Sequence, residues 1–112
     1  MAPRDPRSVL PLNDTLFYVL LSLAEGERHG YAILKEVDAS RDATVKLGPT
    51  TLYRHIGQML ADGLIAETGR RDTDDARRRY YALTKWGRRV AEAETKRLLD
   101  LARTARRILA LA

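Results

Sequence analysis

The stretch from Gly48 to Ile65, "GPTTLYRHIGQMLADGLI", carries two stripes at helical spacing. Leu52, Ile56, Met59 and Leu60 recur at i, i+4, i+7 and i+8 and make an apolar side. Thr50, Tyr53, Arg54, Gly57 and Gln58 recur at i, i+3, i+4, i+7 and i+8 on the other side. A solvated helix face more usually carries Glu and Lys. This one holds hydroxyls, a guanidinium, an amide and a bare backbone position. Arg54 can fork onto the O6 and N7 acceptors of guanine, and Gln58 can make the equivalent pair with adenine. Thr50 and Thr51 fall in the first turn, where free N–H groups and the helix dipole favour a phosphate oxygen. Tyr53 offers a flat apolar body with a hydroxyl tip, suited to a sugar–phosphate edge, and His55 stands at the flank of the stripe. The bland alternatives are a merely solvated Arg54 and a Gly57 that relieves crowding against a neighbouring helix. Glycine in a helix interior costs roughly 1 kcal/mol against alanine, so it needs one reason or the other.

A second cluster surrounds "RRDTDDARRR". Arg70 and Arg71 stand on one side of the polar turn, with Arg77, Arg78 and Arg79 on the other. Five arginines at one tip suit a clamp on a polyanion backbone, each able to displace a counterion. Asp72, Asp74 and Asp75 between them can pair with the arginines, but a hard-metal loop would want more oxygen ligands and a glycine turn. No metal and no cofactor are expected. Catalysis requires a convergent nucleophile and base. With no cysteine and only His29 and His55, well separated, no enzyme is expected. His29, just before a helix, reads as a packing or capping residue.

Composition bounds these readings. The chain has 112 residues, enough for one small domain or a core with a long arm, and a net charge of +5. Excess positive charge suits an anionic partner, though alone it is weak evidence. The absence of cysteine excludes disulfides and thiolate metal sites. No apolar run approaches the ~20 residues of a membrane span. The opening "MAPRDPRSVLPLN" lacks the apolar core of a signal peptide. A cytoplasmic protein without a membrane partner is the expectation.

Residues 1–12 form a Pro- and Arg-containing arm expected to be loosely held. Asn13 can cap a first helix, "DTLFYVLLSLAE", with Leu12 and Phe17 as a staple and Gly26 as its stop. A second helix follows in "HGYAILKEVDAS", with Tyr31, Ile33, Leu34 and Val37 as its buried side. In "RDATVKLGP", Val45 and Leu47 alternate around Lys46, which allows a short strand. Pro49 opens the third helix, and Gly63 with Leu64 can close it in a Schellman cap. "LIAETG" and "RRRYYALT" then read as the two strands of a β-hairpin, Tyr81 and Leu83 toward the core and Tyr80 on the other face. Thr84 caps a last helix running to the end of the chain, roughly 40 Å long and too long to pack fully on so small a core. Along it Ala91, Leu98, Ala105 and Ala112 are spaced by seven, as are Glu94, Leu101 and Ile108, with Leu99, Ala102 and Leu109 beside them. This heptad-like seam calls for a partner helix, and a second copy is the economical supplier.

Three helices closed by a hairpin and followed by a long helix are mainly α, with the order of a winged helix-turn-helix plus a dimerisation helix. The expected divisions are an arm at 1–12, a winged domain at 13–84 and the dimerisation helix at 85–112. In that fold the third helix, 49–62, enters the major groove and the 69–79 hairpin acts as a wing. "HGYAILKEV", "LGPTTLYRHIGQMLADGLI" and "RRRYYALTKWG", in this order, resemble the PadR-like family of transcriptional regulators over residues 12–112. The resemblance implies a dimeric bacterial repressor-type regulator of double-stranded DNA, whose reading helix holds Thr51, Leu52 and Tyr53. One departure is Thr50, where the family often has glycine before "TLY". Some relatives sense planar aromatic compounds between the dimer helices. Here Trp86 sits at the hairpin end of the last helix as a packing anchor, and no stacking aromatic lies farther along, so a small-molecule effector has no support in the sequence. The alternative function is a protein-interaction module that docks through the winged scaffold and the amphipathic last helix.

Overall fold

The computed structural model describes residues 4–41, 45–71 and 77–112. Helix α1 (Asp14–Ala24) starts where Asn13 Oδ1 accepts the N–H groups of Thr15 and Leu16, at 2.9 and 3.3 Å. Its Val19, Leu20 and Leu23 lie at the centre of the core. A two-residue strand, β1 (Arg28–His29), leads into α2 (Gly30–Ser40), capped by His29, whose Nδ1 accepts the Ala32 N–H at 3.2 Å. Ile33 and Val37 of α2 are buried. Tyr31, expected among them, is 60% exposed, because it lies about 200° around the helix from Ile33.

The strand expected around Val45–Leu47 is not formed by its described residues. Side chains of α2 occupy the backbone groups there: Leu47 N–H donates to Asp38 Oδ1 at 3.0 Å, and Arg41 donates to the Val45 carbonyl at 2.8 Å. Leu47 is buried and Val45 is exposed. Helix α3 (Pro49–Ala61) buries Leu52, Ile56 and Met59, while Leu60 sits at the edge of the buried arc and is part-exposed. It ends in the expected Schellman pattern: Gly63 at φ +74 donates to Leu60, and Leu64 donates to Met59.

Strands β2 (Ile65–Glu67) and β3 (Tyr80–Leu83) pair antiparallel with Ile65 opposite Leu83 and Glu67 opposite Tyr81. The sheet has three strands rather than the two of a plain hairpin. β1 adds to the other edge of β3, Arg28 opposite Tyr81 and His29 opposite Tyr80, giving the order β1-β3-β2. Tyr81 joins the core and Leu83 packs on it. Tyr80 is equally buried on the opposite face, edge-on to the His29 ring at 5.3 Å and under the Arg70 guanidinium at 4.4 Å. Asp72, Asp74 and Asp75 lie outside the described residues.

Helix α4 (Lys85–Ile108) begins at a tight junction. Thr84 Oγ1 lies 2.7 Å from the Gly63 carbonyl oxygen and 3.0 Å from that of Leu64, and it accepts the Gly87 N–H at 2.9 Å. Gly87 abuts the Leu64 carbonyl so closely that a Cβ there would stand 2.0 Å from its oxygen. The helix stops at Ile108 rather than at the chain end, with Leu111 N–H donating back to Arg106. No helix among the described residues is long and apolar enough to cross a membrane.

The described part of the arm, residues 4–12, is tied down rather than loose. Its 3-10 turn (Pro6–Val9) packs on α4, and Leu10 and Leu12 lean on the core. Leu12 N–H donates to Glu94 Oε2 at 2.7 Å, while Arg97 Nε donates to Glu94 Oε1. The Arg4 guanidinium lies 4.7 Å over the Trp86 ring. Glu94 is 1% exposed, so this carboxylate is a buried bridge between the arm and α4.

Two outcomes follow from these contacts. Gly87→Ala should cost about 1–3 kcal/mol or more in urea unfolding, since backbone rather than a pliable side chain meets the new methyl. The Arg97 hydrogen bond, aided by the Leu12 N–H, holds the Glu94 carboxyl below its ordinary range against the opposing effect of burial. A depressed folded-state pKa means stability that is present above the ordinary carboxylate range and lost as pH falls through the depressed value. Glu94→Gln should therefore flatten the fall in stability between neutral and acid pH, measured as urea midpoints from pH 7 to pH 3.

Candidate nucleic-acid interface

The amphipathic pattern of α3 is realised in the fold. With Leu52, Ile56 and Met59 inward, Thr50, Tyr53, Arg54, Gly57 and Gln58 are all exposed on one surface. Thr51 and His55 lie half-buried at its flanks. Burial, and then the neighbouring Arg54 charge, push the His55 imidazole below its ordinary pKa. His55 is therefore neutral at neutral pH and offers a hydrogen bond rather than a charge. Gln58 is already engaged: its Nε2 donates to Asp62 Oδ2 at 3.0 Å. A two-bond contact with adenine would use Oε1 and one Nε2 hydrogen, so the second amide hydrogen can stay on Asp62 and hold the side chain in place.

Gly57 is decided by the geometry. A Cβ at that position meets nothing within 4 Å, so crowding against α2 is not why glycine stands there. No contact within the chain requires glycine there. Gly30 is the opposite case: its Cβ would fall 2.4 Å from the Tyr53 hydroxyl oxygen. The phenol ring of Tyr53 lies across the bare start of α2, so "HGY" and "TLY", distant in the sequence, are in contact. Helical periodicity within either motif carries no trace of this pairing; the only hint was a glycine at a first helical position.

The wing arginines do not stand alone. Arg79 and Arg71 both pair with Glu67, at 2.9 and 3.6 Å, and Arg70 pairs with Glu27 at 3.2 Å while stacking on Tyr80. Nothing in the spacing of the arginines themselves points to Glu27 and Glu67. Arg77, Arg78 and Arg79 line an open cleft of about 400 Å³ together with Tyr31 and Tyr53. Exposed ion pairs contribute only about 0–1 kcal/mol each, so the pairs aim the guanidinium groups at little cost when a stronger anion arrives. Burial and the nearby Glu67 charge push the Tyr81 phenol up, which keeps it protonated.

The seam residues divide. Ala91 and Glu94 are covered by their own chain, because α1 and the arm pack on the first part of α4. Leu98, Leu101, Ala105 and Ile108 remain exposed, with Leu99, Leu109 and Leu111 beside them. Trp86 packs on the core and lines a recess with Arg4 and Leu12 of the arm and with Leu64. Among the described residues no cluster of three or more His, Asp or Glu could hold a metal.

Three helices, a small antiparallel sheet and a basic hairpin beside the third helix define a winged helix-turn-helix. The chain belongs to the PadR-like family of transcriptional regulators, whose model matches residues 19–93. It superposes on a PadR family transcription regulator from hypervirulent Clostridium difficile R20291 with a TM-score of 0.74 at 21% identity, covering 87% of this chain and 99% of that one. A transcriptional regulator from Clostridium thermocellum, Cth-833, gives a TM-score of 0.69 at 20% identity, over 88% of this chain and 97% of the other. In sequence, it is 33% identical over 92 residues to an uncharacterized 37.1 kDa protein in transposon TN4556 of Streptomyces fradiae. That match covers 80% of this chain but about a quarter of the relative, 24% of its length.

Because Gly57 is spared by no packing contact, Gly57→Ala should raise folding stability by up to about 1 kcal/mol while weakening duplex binding. Thermal unfolding and a fluorescence titration with duplex DNA, run on the same preparation, check both halves.

Proposed function

We propose that the chain is a sequence-specific DNA-binding regulator that acts as a homodimeric repressor on a near-palindromic operator. The observation that carries this reading is the exposed polar face of α3 beside an arginine-lined wing. In this reading Arg54 and Gln58 address base edges in the major groove. Thr50, Thr51, Tyr53 and His55 face the flanking backbone, and Arg70, Arg71, Arg77, Arg78 and Arg79 clamp it from the wing.

The dimer is supported by α4. Its second half runs clear of the core with Leu98, Leu101 and Ile108 exposed, a surface that a second copy of the same helix would cover. Two such chains would present their α3 helices to half-sites about 34 Å apart, one helical turn of DNA. Repression then needs no further contact, because a dimer seated across a promoter excludes polymerase by occupancy.

One experiment set tests the reading. Arg54→Ala should cost about 1–3 kcal/mol on the preferred site and relax preference at one base pair. Arg78→Ala should weaken binding to all duplexes and lower the salt slope by roughly one. Leu101→Asp should yield a monomer by sedimentation with much weaker operator binding. Operator affinity unchanged in both arginine variants would show that α3 and the wing do not face DNA, and a Leu101→Asp chain that still sediments as a dimer would remove the α4 seam.

A further inference from the structure

The cleft between the start of α2, the exposed face of α3 and the wing holds two tyrosines that neither the core nor the sheet uses. Tyr31 is 60% exposed and Tyr53 is 54% exposed, although each belongs to a helix with an apolar face at hand. Among the described residues, neither phenol hydroxyl has a hydrogen-bond partner. Cations surround them: Arg77, Arg78 and Arg79 line the same cleft, and Lys35 Nζ lies 5.5 Å from the Tyr31 ring centre. Two neutral O–H donors in a basic recess match the oxygens of a phosphodiester, which accept hydrogen bonds and carry charge, and nothing about them distinguishes one base from another.

Gly30 sets the geometry. Any side chain there would overlap the Tyr53 hydroxyl, with Cβ at 2.4 Å from the oxygen and 2.9 Å from the ring carbon that bears it. A glycine at the first position of a helix is a weak choice for helix stability. Here it is the only residue that leaves the Tyr53 phenol lying against α2, directed into the cleft it shares with Tyr31.

We infer that this cleft seats one backbone phosphate of the bound duplex, with the Tyr31 and Tyr53 hydroxyls as donors and Gly30 as the positioning residue for Tyr53. The start of α2 thereby joins the α3 face and the wing arginines in a single phosphate contact. The inference rests on the proposed reading that this surface meets duplex DNA.

The test uses a duplex selected by the full-length wild-type chain from a random library, with single phosphates replaced in turn by neutral methylphosphonates. Tyr31→Phe should weaken binding about three- to tenfold, the loss of one hydrogen bond to a charged group, with the preference among sequences unchanged. One methylphosphonate position should weaken the wild type but not Tyr31→Phe. Gly30→Ala should resemble Tyr53→Phe in affinity and keep the far-ultraviolet spectrum of the wild type. If every methylphosphonate that harms the wild type harms Tyr31→Phe by the same factor, the phosphate seat is wrong. Should that occur while Arg54→Ala still weakens binding, the groove reading stands and only the cleft is removed; if Arg54→Ala has no effect while Tyr31→Phe does, the cleft stands and the groove reading falls.

Discussion

The contact between the Leu64 carbonyl and the α-carbon of Gly87 is the constraint on which the rest of the molecule turns. Four elements meet there: the end of α3, the start of β2, the end of β3 and the first turn of α4. Thr84 closes the knot, its side chain reaching the carbonyls of Gly63 and Leu64 and accepting from Gly87. No residue but glycine permits the approach, since a Cβ would lie well inside contact distance of backbone on the other element. Because the atoms that touch are backbone, they cannot yield by changing rotamer. The third helix, the hairpin and the long helix are thus referred to a common origin.

The charged surface obeys a different logic. Glu67 holds Arg71 and Arg79, and Glu27 holds Arg70, so the basic wing is laced with carboxylates that offset part of its charge. Exposed pairs of this kind are worth little in water and are screened by salt. Their effect is on where the guanidinium groups stand. Glu94 is of another sort: it is buried, and it spans two segments far apart in the chain through Leu12 N–H and Arg97. Leaving a buried donor or charge without its partner costs much more than losing a surface pair. The arm is therefore attached at a point where detachment is expensive.

Much of this fold was legible in the sequence wherever a local rule governed. Asn13, Thr84 and Gly63 announce helix ends through the hydrogen bonds that their own side chains or backbones make, and Pro49 through the donor it lacks at a first helical position; each stands at that end in the structure. Periodicity identified the exposed stripe of α3 because burial of Leu52, Ile56 and Met59 leaves the opposite face outside. It failed where partners are distant in sequence. A two-residue strand has no period, so β1 was invisible, and the alternation at Val45–Leu47 suggested a strand that α2 side chains pre-empt. Tyr31 stands outside because its angle around α2, not its aromatic character, decides burial. Glu94 looked like a polar member of a helical seam, since nothing in a heptad says that residue 12 folds back on it.

The same geometry bears on how a dimer of the proposed kind would recognise spacing. Helix α4 is continuous for 24 residues, and only its first part is packed on the winged domain. The exposed part, from Leu98 to Ile108, would extend the domain's orientation to the symmetry axis as a rigid rod of roughly 15 Å. A small change in the angle at which α4 leaves the core would be carried to the reading helices, because the end of α3 is tied to the root of α4 through Leu64 and Gly87. Two contacts fix the angle: Gly87 against Leu64 at the root of the helix, and Glu94 with the arm two turns along. The first joins α4 to α3 itself, and the second braces it sideways against α1's entry. Half-site spacing in such a dimer is consequently a property of packing deep in each chain, remote from any residue that touches a base.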